Sequence, residues 1–178
     1  EILYKGGMIS RHTISVQSTN DNVLDNIHRS NLPTEKQKII SSDLNKKGIP
    51  VKSQIILGLP GETKLDMLNH AKAISELPIN TLKIHHLQIV KHTVMAKQYK
   101  QTPEMFTFME LEEYIDLVID FLELLDPQII IERFFSESPE RMLIYPKYGL
   151  KNFEVKSLVE KRLVERDTYQ GKLFQVSN

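Results

Sequence analysis

The sequence contains no cysteine. Disulfides, zinc–thiolate sites and cysteine nucleophiles are therefore excluded for this chain, as is any iron–sulfur cluster held by its own thiolates. Neither sign of charge is in excess, because 23 Lys and Arg balance 23 Asp and Glu. That balance argues against a general nucleic-acid or membrane-surface protein. The apolar stretches are short and interrupted, and no secretory leader is visible, so a cytoplasmic location is expected. Four common catalytic signatures are also missing: HExxH, the P-loop, GxGxxG and a Ser-His-Asp arrangement. The chain opens on Glu1 rather than Met, so its natural N-terminus is expected upstream.

At 178 residues the chain has the size of one domain. Its hydrophobic share of 40% suffices for a packed core, and disorder is not expected. Alternation places a first strand at His12–Ser18, with Ile14 and Val16 on one face. Asn20-Asp21 supplies a cap for a short helix bearing Val23, Leu24 and Ile27. Pro33 starts a second helix, with Gly48 and Pro50 at its end. A second strand spans about Val51–Leu57, a helix about Leu65–Leu77, and a third strand about Thr81–Ile89. The stretch rich in Lys, Gln and Met that runs on to Pro103 reads as a connection. Glu110–Leu125 carries the clearest helical stripe, and its acidic residues Glu112, Glu113, Asp116 and Asp120 read as a solvated face. A fourth strand at about Gln128–Phe134, a loop from Ser136 to Tyr148, a helix at about Asn152–Arg166 and a polar tail complete the chain. Strands alternating with helices of this length predict βαβ units and a parallel sheet, within a TIM-type barrel or a doubly wound fold.

The most telling segment is Ile55-Ile56-Leu57-Gly58-Leu59-Pro60-Gly61-Glu62-Thr63. An unbroken apolar run, of the kind found where a strand is covered on both faces, enters a glycine-bracketed turn and then a helix. Thr63 and Asp66 have the spacing of a capping box. A ligand's ring or phosphate suits such a turn, and so does a tight βα connection with no ligand.

Ligands of α/β folds sit at the carboxyl ends of the strands. The residues brought there are Gln17 and Ser18, the Gly58–Glu62 turn, Lys83 and His85 on one face of strand three with His86 on the other, and Glu132 with Arg133. Arg29 follows the short helix and can swing over the same rim. Each also has an ordinary structural reading. Gln17 suits a hydrogen bond within the sheet, Lys83 an internal ion pair, and Glu132–Arg133 a structural salt bridge. His85 and His86 point to opposite faces and do not chelate one metal easily, so no metal site is assigned.

Ser15-Val16-Gln17-Ser18, Asn26-Ile27-His28-Arg29 and the Ile55–Thr63 segment, in that order, resemble the radical S-adenosylmethionine (radical SAM) superfamily, near the oxygen-independent coproporphyrinogen oxidases. Lys83-Ile84-His85-His86-Leu87-Gln88-Ile89-Val90-Lys91-His92-Thr93, Ile131–Phe134 and Lys151–Gly171 are similar to a subgroup of iron–sulfur oxidoreductases of unknown substrate. The resemblance covers roughly residues 13–171. It implies an α/β fold: the C-terminal half of a partial (β/α)6 TIM-type barrel with parallel strands over residues 1–135. A loop, a helical extension and the tail would pack on it over residues 136–178. It also implies an enzyme in which a [4Fe–4S] cluster donates an electron to S-adenosylmethionine and a 5′-deoxyadenosyl radical abstracts hydrogen from substrate. On the cofactor side it implies Gln17 and Ser18, Arg29 on the SAM carboxylate, Gln54 on the ribose, and an adenine pocket from Gly58, Leu59, Pro60, Gly61, Gln88, Ile89 and Val90. Lys83, His85, Glu132 and Arg133 are substrate-side candidates.

Two departures from the family pattern stand out. The subgroup's Lys-Gly-Thr is Lys91-His92-Thr93 here. The cluster-binding cysteines are absent, so they are expected outside this chain, and the chain alone is expected to be inactive. A different class of reading is a cluster-less relative that uses the same rim to bind a small molecule or a partner protein. An upstream cysteine triad distinguishes the two. The substrate is not named by the sequence, whether small or macromolecular; neither membrane nor nucleic acid is indicated. Self-association through the sheet edge carrying Ile14 and Val16 is expected.

Overall fold

The structure, a computed structural model, describes residues 12–27 and 33–175. Strands β1 (His12–Gln17), β2 (Val51–Leu57), β3 (Thr81–His86) and β5 (Ile130–Arg133) form one parallel sheet in the order β1-β2-β3-β5. Helices α1 (Asp21–Asn26), α2 (Thr34–Lys46), α3 (Lys64–Ser75), α5 (Leu111–Leu124) and α6 (Asn152–Glu165) intervene or follow. β4 (Ile89–Val90) and β6 (Leu143–Tyr145) make a separate antiparallel pair, and α4 (Val94–Gln101) precedes α5. No helix among the described residues is long and apolar enough to cross a membrane.

The helix starts follow the cap chemistry. Asn20 accepts from the Asn22 amide at 3.1 Å. Thr63 and Asp66 close a reciprocal capping box, at 3.2 Å and 2.8 Å.

The sheet has a covered and an open face. Ile14, Val16, Val51, Ser53, Ile55, Leu57, Leu82 and Ile84 are buried. Their core is filled by Met67, Ala71 and Ile74 of α3, the stripe of α5 from Tyr114 to Leu125, and Val155 and Val159 of α6. Alternate residues, Lys52, Gln54 and Ile56 of β2 with Lys83 and His85 of β3, stay half-buried on the other face. The apolar run of β2 is thus covered by helices on one side only. β1 and β5 are the two edges of this sheet.

Three segments differ from expectation. The third strand stops at His86, and Ile89–Val90 turns away to pair with β6, inside the stretch expected to be a loop. The connection before Pro103 holds α4, whose side chains form no fully buried face and so leave a weak helical signal. Its Tyr99 packs edge-on against Phe106 and Phe108. The acidic face of α5 is not simply solvated. Asp116 and Asp120 pair with Arg166, the C-cap of α6, at 2.8 Å and 2.7 Å, Glu112 and Asp116 with Arg162 of α6, and Asp120 with Lys64. Exposed pairs are individually weak, but this ladder fixes the direction of α6 across α5.

The polar tail is docked at residues 171–173. The Gly171 amide donates to the Leu122 carbonyl at 2.9 Å, and Leu173 to Glu123 at 2.8 Å. Gly171 has φ +84, and a Cβ there would lie 2.8 Å from the Pro127 ring. His92 keeps the left-handed conformation, φ 66, that the subgroup's glycine would adopt freely.

Two substitutions test these backbone readings. Gly171→Ala should lower stability by about 1–3 kcal/mol in urea unfolding, because neither the rigid proline ring nor the left-handed φ accommodates it. His92→Gly should leave stability unchanged or raise it by up to about 1 kcal/mol. A clear loss would mean that the imidazole itself holds the turn.

Candidate functional site

A buried carboxylate joins the ends of the first two strands. Glu62 Oε2 accepts from the Gly58 and Leu59 amides at 3.2 Å and 3.0 Å, closing the turn after β2. Its Oε1 accepts from Ser18 Oγ at 2.9 Å and meets His70 Nε2 at 2.8 Å. His70 Nδ1 lies 2.6 Å from Thr19 Oγ1. The pattern suits a ring whose Nε2–H donates to the carboxylate while Nδ1 accepts. The Glu62 side chain has no exposure and His70 has 1%, so both need these partners. Ser18 is therefore engaged in the clamp, and neither Glu62 nor His70 stood out in the sequence as a partner of the first strand. The only local signal for His70 is its position eight residues after Glu62, two turns along α3.

Strand register arranges the open face in rows. Ser15, Gln54, Lys83 and Arg133 are successive partners across the four strands. Two irregularities interrupt regular pairing, one on each edge strand. In β1 the register shifts between Ser15 and Gln17, and Gln17 takes φ 67. In β5 Leu82 pairs with Ile131 but Lys83 with Arg133, so Glu132 is the extra residue. Bulges of this kind re-aim side chains next to functional sites. Glu132 faces Lys83 Nζ at 3.3 Å and also pairs with Lys52. The Lys52 hydrogen bond, assisted by Lys83, holds its carboxyl below the usual range. The salt bridge expected between Glu132 and Arg133 does not form; the two lysines take the carboxylate instead.

The rearranged strand ends surround a cavity of about 410 Å³, within the range of small-molecule sites. Gln17, His85, Gln88 and Arg133 line its polar side, and Ile56, Leu59, Leu87 and Met95 its apolar side. Met95 comes from α4, the helix the sequence did not reveal. Gln88 is partly engaged, accepting from Ser138 Oγ at 2.7 Å and donating to the Ser136 carbonyl at 3.2 Å. Gly58 and Gly61 line a different cavity of about 680 Å³, on the side of Met67 and Met109, and only Leu59 touches both. Pro60 is buried in the turn. Ile89 and Val90 are placed by pairing with Tyr145 and Leu143. Gln54 lies in the row beneath the cavity, and Arg29 lies outside the described residues.

The two histidines face opposite ways, as alternation requires. His86 is 4% exposed, stacked on Phe135 at 4.0 Å and edge-on to Tyr114 at 5.5 Å. Burial, with a contribution from His85, lowers its pKa to about 3. His85 is lowered to about 4 by burial first and then by the charges of Arg133 and Lys83. Both Nε2 atoms are buried without a hydrogen-bond partner among the described residues. Both rings are neutral near pH 7, and His85 presents a neutral donor–acceptor ring to the cavity. Among the described residues no cluster of His, Asp or Glu has the arrangement to hold a metal ion.

Because both folded pKa values lie below the ordinary 6.5, the unfolded chain binds protons first as pH falls. Stability from the neutral rings is complete above about 6.5 and declines between there and about 3. Urea midpoints should fall from pH 7 to pH 4, and His86→Phe should make that decline shallower. An unchanged slope in His86→Phe would refute the assignment.

Residues 79–165 match the radical SAM C-terminal domain family. The chain is 39% identical over 132 residues to the uncharacterized protein YtqA of Bacillus subtilis, covering 74% of this chain and 40% of YtqA. It is 34% identical over 162 residues to the uncharacterized protein MJ0486 of Methanocaldococcus jannaschii, covering 90% and 49%. The protein YhcC of Escherichia coli is 26% identical over 133 residues, covering 75% and 42%. The chain thus spans less than half the length of these relatives. The fold is similar to that of Elp3 from Methanocaldococcus infernus, with a TM-score of 0.74 and 17% identity over 90% of this chain and 37% of that one. The match of residues 79–165, with the fold similarity beside it, identifies the chain as a C-terminal part of the radical SAM superfamily.

Proposed function

We propose that this chain forms the S-adenosylmethionine-binding and substrate-facing wall of a radical SAM iron–sulfur enzyme, as part of a (β/α)6 barrel. The observation that supports it is the convergence of the two edge-strand irregularities on one cavity. One turns Gln17 inward and the other Arg133, at the strand ends where α/β enzymes bind ligands.

The donor set fits S-adenosylmethionine. The Gln17 amide can hydrogen-bond ribose hydroxyls, and Ile56, Leu59, Leu87 and Met95 offer apolar surface to a purine. A [4Fe–4S] cluster does not fit, since no thiolate is present in this chain; its ligands would come from outside, and the chain alone would be inactive. In this superfamily the cluster and S-adenosylmethionine together supply one-electron cleavage of a sulfonium C–S bond and hydrogen abstraction from substrate. This chain's residues act by binding, orientation and exclusion of water. The Glu62–His70 clamp holds Ser18 and Thr19, the residues that follow Gln17's left-handed turn, so its amide is positioned before ligand arrives. Lys83, held by Glu132, and His85 stand on the same face for the substrate.

The test uses the protein with its full natural sequence, reconstituted anaerobically with iron and sulfide and reduced in the presence of S-adenosylmethionine. Formation of 5′-deoxyadenosine is the expected outcome. Gln17→Ala should weaken S-adenosylmethionine binding by about tenfold, roughly 1.4 kcal/mol. If no cluster assembles and no 5′-deoxyadenosine forms, the rim acts as a binding site only.

A further inference from the structure

Among the described residues Arg133 is a charge without a counter-ion. The shifted register of β5 sets it beside Lys83 on the open face and at the wall of the rim cavity. It makes no hydrogen bond or ion pair among the described residues, although it is only half-exposed. The nearest candidates are engaged elsewhere. Glu132 is held by Lys52 and Lys83. Glu137, an acidic residue of the cavity wall, accepts from the Asn152 amide at 2.7 Å. Among the described residues, the open face of the sheet thus carries the cations Lys52, Lys83 and Arg133 against the single carboxylate of Glu132. Beside Arg133, His85 offers a ring whose buried Nε2 has no partner among the described residues. An unpaired guanidinium and an unsatisfied imidazole on one cavity wall form an incomplete hydrogen-bonding set.

The geometry points to Arg133 as the anchor for an anionic group, a carboxylate or a phosphate, on the substrate, with His85 as its neighbouring hydrogen-bond partner. This rests on the reading that the rim cavity faces substrate. The guanidinium fork suits two oxygens of such a group at once. The β5 irregularity explains why it is available: regular alternation would leave Glu132 opposite Lys83 and turn Arg133 toward the helices. The same anion chemistry has a second source, the carboxylate of S-adenosylmethionine itself, for which Arg29 is the expected partner.

The experiment titrates the full-length reconstituted protein, saturated with S-adenosylmethionine, with inorganic phosphate and with succinate at low ionic strength. Heat and thermal midpoint are the readouts. Anion binding is expected in the wild type, weakened by about tenfold or more in Arg133→Gln and less in Arg133→Lys, which keeps the charge but loses the fork. S-adenosylmethionine affinity, measured separately by equilibrium dialysis, is expected to change by less than about twofold. Equal anion affinity in wild type and Arg133→Gln overturns the inference, as does absence of anion binding in the wild type. A tenfold loss of S-adenosylmethionine affinity in Arg133→Gln also overturns it, by assigning the guanidinium to the SAM carboxylate. Should Arg133→Gln fail to fold, the wild-type titration and Arg133→Lys carry the same decision. Failure to form 5′-deoxyadenosine concerns the enzyme reading alone, because the anion titration is read without turnover.

Discussion

The Glu62 carboxylate is the point on which the rim depends. It accepts from two amides of its own turn, from a hydroxyl on the first strand and from a buried imidazole on the following helix. No side chain that donates less charge density could satisfy all four donors at once, since an ionised carboxylate is acceptor-only with two oxygens to share. Its burial is tolerated because every lone-pair direction is used. The consequence reaches beyond the turn. Ser18 and Thr19 are held by this network, so the end of β1 has no freedom to relax, and Gln17 is kept at a positive φ that a free strand end would abandon.

The opposite edge is set by a comparable economy of contacts. Tyr114 of α5 donates to the Phe134 carbonyl at 2.6 Å, and Asn152 at the start of α6 accepts from the Phe134 amide at 3.2 Å. Both backbone groups that follow β5 are thereby committed to helices on the covered face. The strand must reach them while still leaving its last residues on the open face, and the register shift between Ile131 and Arg133 reconciles the two demands. The α5–α6 charge ladder orients α6 and so contributes to placing Asn152. Core packing on one side of the sheet and the polar residues of the open face on the other are coupled through this short segment.

Polar residues on the open face follow the same logic. Lys52, Lys83 and Glu132 satisfy one another across three strands, which is why a half-buried sheet surface can carry them at moderate desolvation cost. His86 takes the other solution: it is packed among aromatic rings and stays neutral.

The sequence alone determined the alternation of strands and helices, the caps at Asn20 and Thr63, the opposed faces of His85 and His86, and the ordered motifs of the superfamily. These are local properties, legible because periodicity, capping and turn chemistry act within a few residues. It did not reveal α4, whose residues pack at the rim without a buried stripe, nor the end of β3 at His86, because Ile89 and Val90 are as strand-forming as their neighbours and only the partner β6 separates them. The tertiary structure decided which carboxylate meets which cation, moving Glu132 from Arg133 to two lysines. It also separated the glycine turn from the rim cavity and bound Glu62 to His70 and Ser18. The physical reason is common to all of these. A one-residue shift in strand register reverses which face a side chain occupies, and register at an edge strand is set by contacts with distant helices rather than by the strand's own residues.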